Sequence, residues 1–134
     1  RETTPQLLEP LDLSKLTEDD VDFFNFEGVK CKAKVTDVYD GDTCHVVFKY
    51  NDNFIKCRMR MLGYNSPELK DKNPEIKAKA IEAKELFKEM VLNKVVDIEC
   101  GKFDAFGRIL GTIKLDDKDI NKIMLDKYGP YIKK

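Results

Sequence analysis

The sequence holds few of the residues from which metal-stapled or cross-linked small domains are built. It has one histidine, His45, and its four cysteines, Cys31, Cys44, Cys57 and Cys100, stand singly within apolar stretches. With no Cys-x-x-Cys pair, a structural zinc site is excluded, and the cysteines read as small buried hydrophobes. No apolar run approaches the length of a membrane span, and the opening "RETTPQLLEP" lacks the basic-then-apolar layout of a secretory signal. These absences point to no membrane partner and favour an intracellular, reducing compartment, with a viral origin left open. Net charge is scarce too, at only -1.

What is present fits one domain with a real core. The chain has 134 residues, of which 42% are apolar and 37% charged, too hydrophobic for a disordered chain. The small net charge hides an asymmetry. Residues 1–27 carry a net of -6 and residues 28–134 a net of +5, so an acidic N-terminal extension precedes a mildly basic body. Within the extension, Thr17 is placed to cap a short helix with an acidic first turn, and Phe23, Phe24 and Phe26 are expected to pin the segment onto the body.

From Val29 the apolar residues alternate with period two: Val29, Cys31, Ala33, Val35, then Cys44, Val46, Phe48, then Ile55, Cys57, Met59, Met61. Three strands follow, joined through Asp40-Gly41-Asp42 and Asn51-Asp52-Asn53, both rich in residues that tolerate a left-handed turn. The period changes at "NPEIKAKAIEAKELFKEMVLN", where Asn73 is the cap, Pro74 takes the first helical position, and Ile76, Ala80, Ala83, Phe87 and Met90 form one stripe. Residues 95–100 and 108–115 read as two more strands, and "DDKDINKIMLDKYG" as a short helix ending at Gly129. This order implies an α+β, mostly β fold: a five-stranded Greek-key barrel of the OB type with two helices packed outside it.

The charged residues of "CRMRMLGYNSPELK" are not explained by packing. Arg60 shares a strand with apolar neighbours, Glu68 follows in a tight loop, and Arg108 stands at the start of the fifth strand. Two arginines with Asp40, Asp42 and Glu68 are the groups that phosphodiester hydrolysis calls for. Guanidinium forks meet the extra negative charge of the transition state, a divalent cation neutralises another oxygen, and a carboxylate places or deprotonates the attacking water.

Three stretches carry a family resemblance: "DGDT" at 40–43, "RMLGYNSPE" at 60–68 and "DAFGR" at 104–108, in order around one helix. Together they make the chain similar to the staphylococcal-nuclease-like, or thermonuclease, family, in a short form without the extra C-terminal helix. The resemblance implies a Ca2+-dependent endonuclease acting on DNA and RNA and leaving 3′-phosphates. It implies Asp42 as a carboxylate ligand of one calcium ion, helped by the carbonyl of Ser66, with Asp40 nearby and Asn65 where the family usually has an aspartate. It implies Glu68 as general base, and Arg60 and Arg108 on the scissile phosphate. Asn65 brings an oxygen but no charge, which predicts reduced calcium affinity. Phe106 can stack on substrate, although Ala105-Phe106 replaces the Lys-Tyr of some members. Tyr128 and Tyr131 are candidates for stacking on bases or for closing the barrel.

Taken alone, Asp-Gly-Asp-Thr is more often a polar turn than a metal site, and its coupling to Arg60, Glu68 and Arg108 reverses that. His45 reads as a surface or packing histidine, Arg58 as a surface residue within reach of a phosphate backbone, and the lysines of the long helix as a solvated face. Two other functions remain open. One is a catalytically weakened nucleic-acid or protein binding module on the same fold. The other is an interaction protein whose acidic arm contacts a basic partner or covers its own cleft.

Overall fold

The computed structural model describes residues 12–131. Strands β1 (Lys30–Val38), β2 (Thr43–Tyr50) and β3 (Asn53–Met61) form an antiparallel meander, and helix α1 (Pro74–Val91) leads into β4 (Val95–Phe103) and β5 (Ile109–Leu115). A two-residue strand, β6 (Lys118–Asp119), precedes helix α2 (Ile120–Tyr128). The sheet runs β3-β2-β1-β4-β5, and a short parallel pairing of β3 with β5 closes it into a five-stranded barrel. The expected OB-type barrel with two helices is the observed fold. Among the described residues no helix is long and apolar enough to cross a membrane.

Alternation puts Ala33, Val35, Val46, Phe48, Met59, Ile98 and Ile113 inside the barrel. Helix α1 is started by Asn73, whose side chain accepts the Glu75 N–H, and by Pro74. It buries Ala80, Ala83, Phe87 and Val91 against the barrel, the predicted stripe with its end shifted by one residue from Met90. The four cysteines are free, and burial pushes the Cys44 thiol up to about 12, which keeps it inert.

Local chemistry departs from the sequence expectation in several places. The turn after β2 is left-handed at Asn51 and Asp52, but none of Asp40, Gly41 and Asp42 has positive φ. Gly41 is there for space: a Cβ on it would overlap Ser66 Oγ and stand 2.9 Å from Ser66 Cβ and 3.0 Å from Ala83 Cβ. The segment read as one helix begins instead with a left-handed turn at Asp116 and Asp117, and α2 starts only after Asp119, whose side chain caps the Lys122 N–H. In the arm, Glu18–Asp20 form a single 3-10 turn, and the Asp20 carboxylate accepts the Thr17 N–H at 2.8 Å. Only Phe26 of the three phenylalanines is buried. It packs edge-on to Phe48, Tyr50 and Phe103; Phe24, though exposed on its outer side, lies edge-on to Phe26 and Tyr50, and Phe23 is exposed.

Candidate nuclease site

The site is assembled by strand register. Thr43 pairs with Arg60 across β2 and β3, and the parallel seam pairs Arg60 with Leu110, two residues beyond Arg108. The seam therefore brings both arginines to one patch of the barrel wall, on the face opposite Met59 and Met61. The Asp42 carbonyl accepts the Met61 N–H at 2.9 Å, which fixes the Asp-Gly-Asp-Thr turn to the end of β3.

Asp42 is buried and fully engaged. Its Oδ1 accepts the Thr43 hydroxyl at 2.9 Å, its Oδ2 accepts the Ser66 N–H at 3.0 Å, and Arg60 Nη2 stands 3.5 Å from the same Oδ2. Arg60 Nη2 also donates to Asn65 Oδ1. Asp40 Oδ1 accepts the Asp42 N–H at 3.1 Å. Burial, followed by the Asp42 carboxylate beside it, pushes the Asp40 carboxyl up to about 7.

Arg108 is held by its own turn. Asp104 Oδ1 accepts the N–H groups of Phe106 at 2.8 Å and Arg108 at 2.9 Å, and Asp104 Oδ2 accepts Arg108 Nε at 2.7 Å. Gly107, at φ +81°, supplies the left-handed step that closes this turn. Arg108 Nη1 reaches toward Thr43 Oγ1 at 3.5 Å, and its guanidinium lies 5.4 Å from the Phe106 ring centre. Burial would raise the Asp104 carboxyl, but the N–H bonds from Arg108 and Phe106 and the guanidinium outweigh it, so Asp104 sits below the usual carboxylate value.

A cleft of about 630 Å³ joins these groups. Asp40, Asp42, Arg60, Asn65, Ser66, Glu68, Phe106 and Arg108 all line it, with Tyr39 at one wall and Ile76 of α1 at another. Glu68 is exposed on the loop between β3 and α1. The candidates that the sequence drew from three separate stretches thus share one depression. Tyr128 does not join them. It is 1% exposed, its hydroxyl donates to Glu82 Oε2 on α1 at 3.0 Å, and its ring closes the core as the apolar stripe of α2 demands. The side chain of Tyr131 lies outside the described residues. The described part of the arm, residues 12–27, contributes nothing to the lining of the cleft.

Three contributors had no role assigned from sequence: Thr43, Asp104 and Tyr39. The first two stand inside the quoted motifs, and a polar residue within a turn that also carries a motif arginine or aspartate was the available signal. Tyr39 had none, because an aromatic at a strand end looks like packing.

The oxygens at Asp42 are hard: its own carboxylate, that of Asp40, and the amide oxygen of Asn65, which shares the Arg60 guanidinium with it. Two carboxylates close together in a half-buried turn are the kind of arrangement that a hard divalent cation relieves. Among the described residues no three His, Cys, Asp or Glu side chains converge, so a cation here would rest on two carboxylates and neutral oxygens.

The fold is a closed OB barrel that brings Arg60 and Arg108 together with Asp40, Asp42 and Glu68 in one wall cleft. The family model for the staphylococcal nuclease homologue matches residues 58–129, more than half of the chain, and the chain belongs to that family, whose members are in general nucleases. No curated protein sequence matches it.

Proposed function

We propose that the protein is a Ca2+-dependent endonuclease that hydrolyses DNA and RNA to 3′-phosphate products. The observation that carries this reading is the convergence of Asp42, Arg60, Glu68 and Arg108 on one cleft. Arg60 and Arg108 offer guanidinium forks to the non-bridging oxygens of a bound phosphodiester, where charge grows as water adds. Glu68, exposed at the rim, accepts the proton of that water. Asp104 and Thr43 keep Arg108 aimed before substrate arrives, so little ordering is left for the reaction itself. Asp42, Asp40, Asn65 and the Ser66 carbonyl would hold the calcium ion, which supplies charge neutralisation at the phosphate when bound. Plasmid DNA and total RNA should be degraded with Ca2+ and spared with chelator, and intact nucleic acid under both conditions would reject the reading.

The alternative of a binding module without catalysis has one specific observation behind it. Asn65, the neutral residue in the ligand set, accepts the Arg60 guanidinium instead of facing the cleft alone. Substrate retained in a gel shift but never cut, across a calcium titration, would favour that alternative.

A further inference from the structure

A second cleft, of about 540 Å³, adjoins the first along the outer face of β2 and β3, and it is lined by Tyr39, Thr43, His45, Arg58, Phe106 and Arg108. Tyr39, Phe106 and Arg108 line both, so the two depressions are continuous past an aromatic pair. That pair is conspicuous for its exposure: Tyr39 is 64% and Phe106 76% exposed, and neither ring serves the core.

The floor of the second cleft repeats the first. Thr43 faces Arg60 across the strand pair, and the next same-face pair is His45 facing Arg58. Two residues along a strand separate the two guanidinium-bearing positions by about 6.6 Å, close to one nucleotide step of an extended single strand. Arg58 has no acidic partner within ion-pair distance among the described residues. Asp37 of β1 stands 3.9 Å from His45 Nδ1, on the far side of the histidine's strand from Arg58. An exposed, unpaired arginine and a half-buried histidine in one cleft with the exposed Tyr39 ring match a phosphate with an unstacked base beside it.

We infer that Tyr39, His45 and Arg58 form a subsite for the nucleotide flanking the scissile phosphate, its phosphate on Arg58 and its base against Tyr39. The inference rests on the nuclease reading for its polarity but not for its test. A duplex cannot offer an unstacked base to Tyr39, so the subsite serves single-stranded substrate or a locally opened strand.

The test is direct binding by the full chain, in chelator so that nothing is cut. Fluorescently labelled deoxythymidine dinucleotide and octanucleotide are titrated at low salt by anisotropy. Wild type should bind the octanucleotide at least tenfold more tightly than the dinucleotide. Arg58→Ala should remove about tenfold of octanucleotide affinity and lower the salt slope by about 0.7, the share of one phosphate on a single strand, while the dinucleotide is unaffected. Tyr39→Ala should cost the octanucleotide roughly fivefold or more. Lys32→Ala, which removes the same charge from the exposed β1–β4 face, should change neither. Equal losses from Arg58→Ala and Lys32→Ala, or equal affinity of wild type for the two oligonucleotides, would overturn the subsite while leaving the nuclease reading standing. No binding of either oligonucleotide by wild type would overturn both. Circular dichroism of each variant guards against misfolding, and all three substituted side chains are exposed.

Discussion

Asp42 Oδ2 accepts the backbone N–H of Ser66 at 3.0 Å across a separation of 24 residues, and this bond ties the Asp-Gly-Asp-Thr turn to the loop that bears Glu68. The close approach depends on Gly41, against which Ser66 and Ala83 pack without room for a methyl group.

Gly41→Ala should therefore act on the site through the backbone. A methyl there must push Ser66 and α1 away, at a cost of about 1–3 kcal/mol, and it should break the Asp42–Ser66 bond. Urea unfolding read beside cleavage of plasmid DNA checks it. An unchanged midpoint with full activity would show that the turn and the loop separate without consequence.

Glu68→Gln should lower the rate of DNA cleavage by about two to four decades, the usual worth of a general base, while leaving oligonucleotide affinity and thermal midpoint near wild type. Glu68 is exposed on its loop, so the exchange disturbs no buried packing. Full activity would remove Glu68 from the chemistry.

Asn65→Asp should tighten calcium binding by adding charge to the ligand set, measured by calorimetry with calcium chloride and no nucleic acid. The added carboxylate also strengthens the existing contact with Arg60. No change in the calcium isotherm would show that residue 65 is not a ligand.

Asp104 predicts a pH dependence with a definite sign. Its carboxyl lies below the ordinary value of 3.8, so the folded state holds fewer protons than the unfolded chain at acid pH. Its stabilisation is present above the ordinary value and is lost as pH falls through the folded one. Asp104→Asn should flatten the acid limb of a urea-midpoint profile between about pH 5 and pH 2, and it should cut activity at neutral pH by freeing Arg108. An unaltered acid limb would mean that the Asp104–Arg108 pair contributes nothing to stability.

Asn121 predicts a stability effect remote from the chemistry. Its amide accepts the Ile113 N–H and donates to the carbonyls of Leu62 and Gly111, holding the chain after β3 to β5 from inside. Asn121→Leu should cost about 2–4 kcal/mol by leaving the Ile113 N–H and the Leu62 carbonyl without the amide, while Gly111 keeps the Leu62 N–H, visible as a lower urea midpoint. A wild-type midpoint would show that water replaces the amide.

Much of the fold was legible because burial is periodic. Val46 and Phe48 alternate with polar neighbours, and Ala80, Ala83 and Phe87 recur at helical steps, so their elements and inward faces can be read from order alone. Of the site, the charged residues were legible because no packing role suits Arg60 or Arg108. What sequence order could not convey was contact between distant segments. Tyr128 looked equally fit for stacking or for closure until α2 was seen to turn it inward. Asn121 read as one more polar residue of a helix, since nothing local reveals that three backbone groups await it. The role of Gly41 was misassigned to turn geometry for the same reason: the obstacle is Ser66, not its own dihedral angle.

The parallel seam between β3 and β5 spans only Met59 to Met61 against Ile109 to Gly111. Until those last staves meet, Arg60 and Arg108 belong to separate halves of the chain, and a half-assembled barrel carries one guanidinium without its companion. A chain that has emerged only as far as the long helix therefore has one guanidinium of the pair and no cleft, since the pairing that sets Arg60 beside Arg108 arrives with closure and not before.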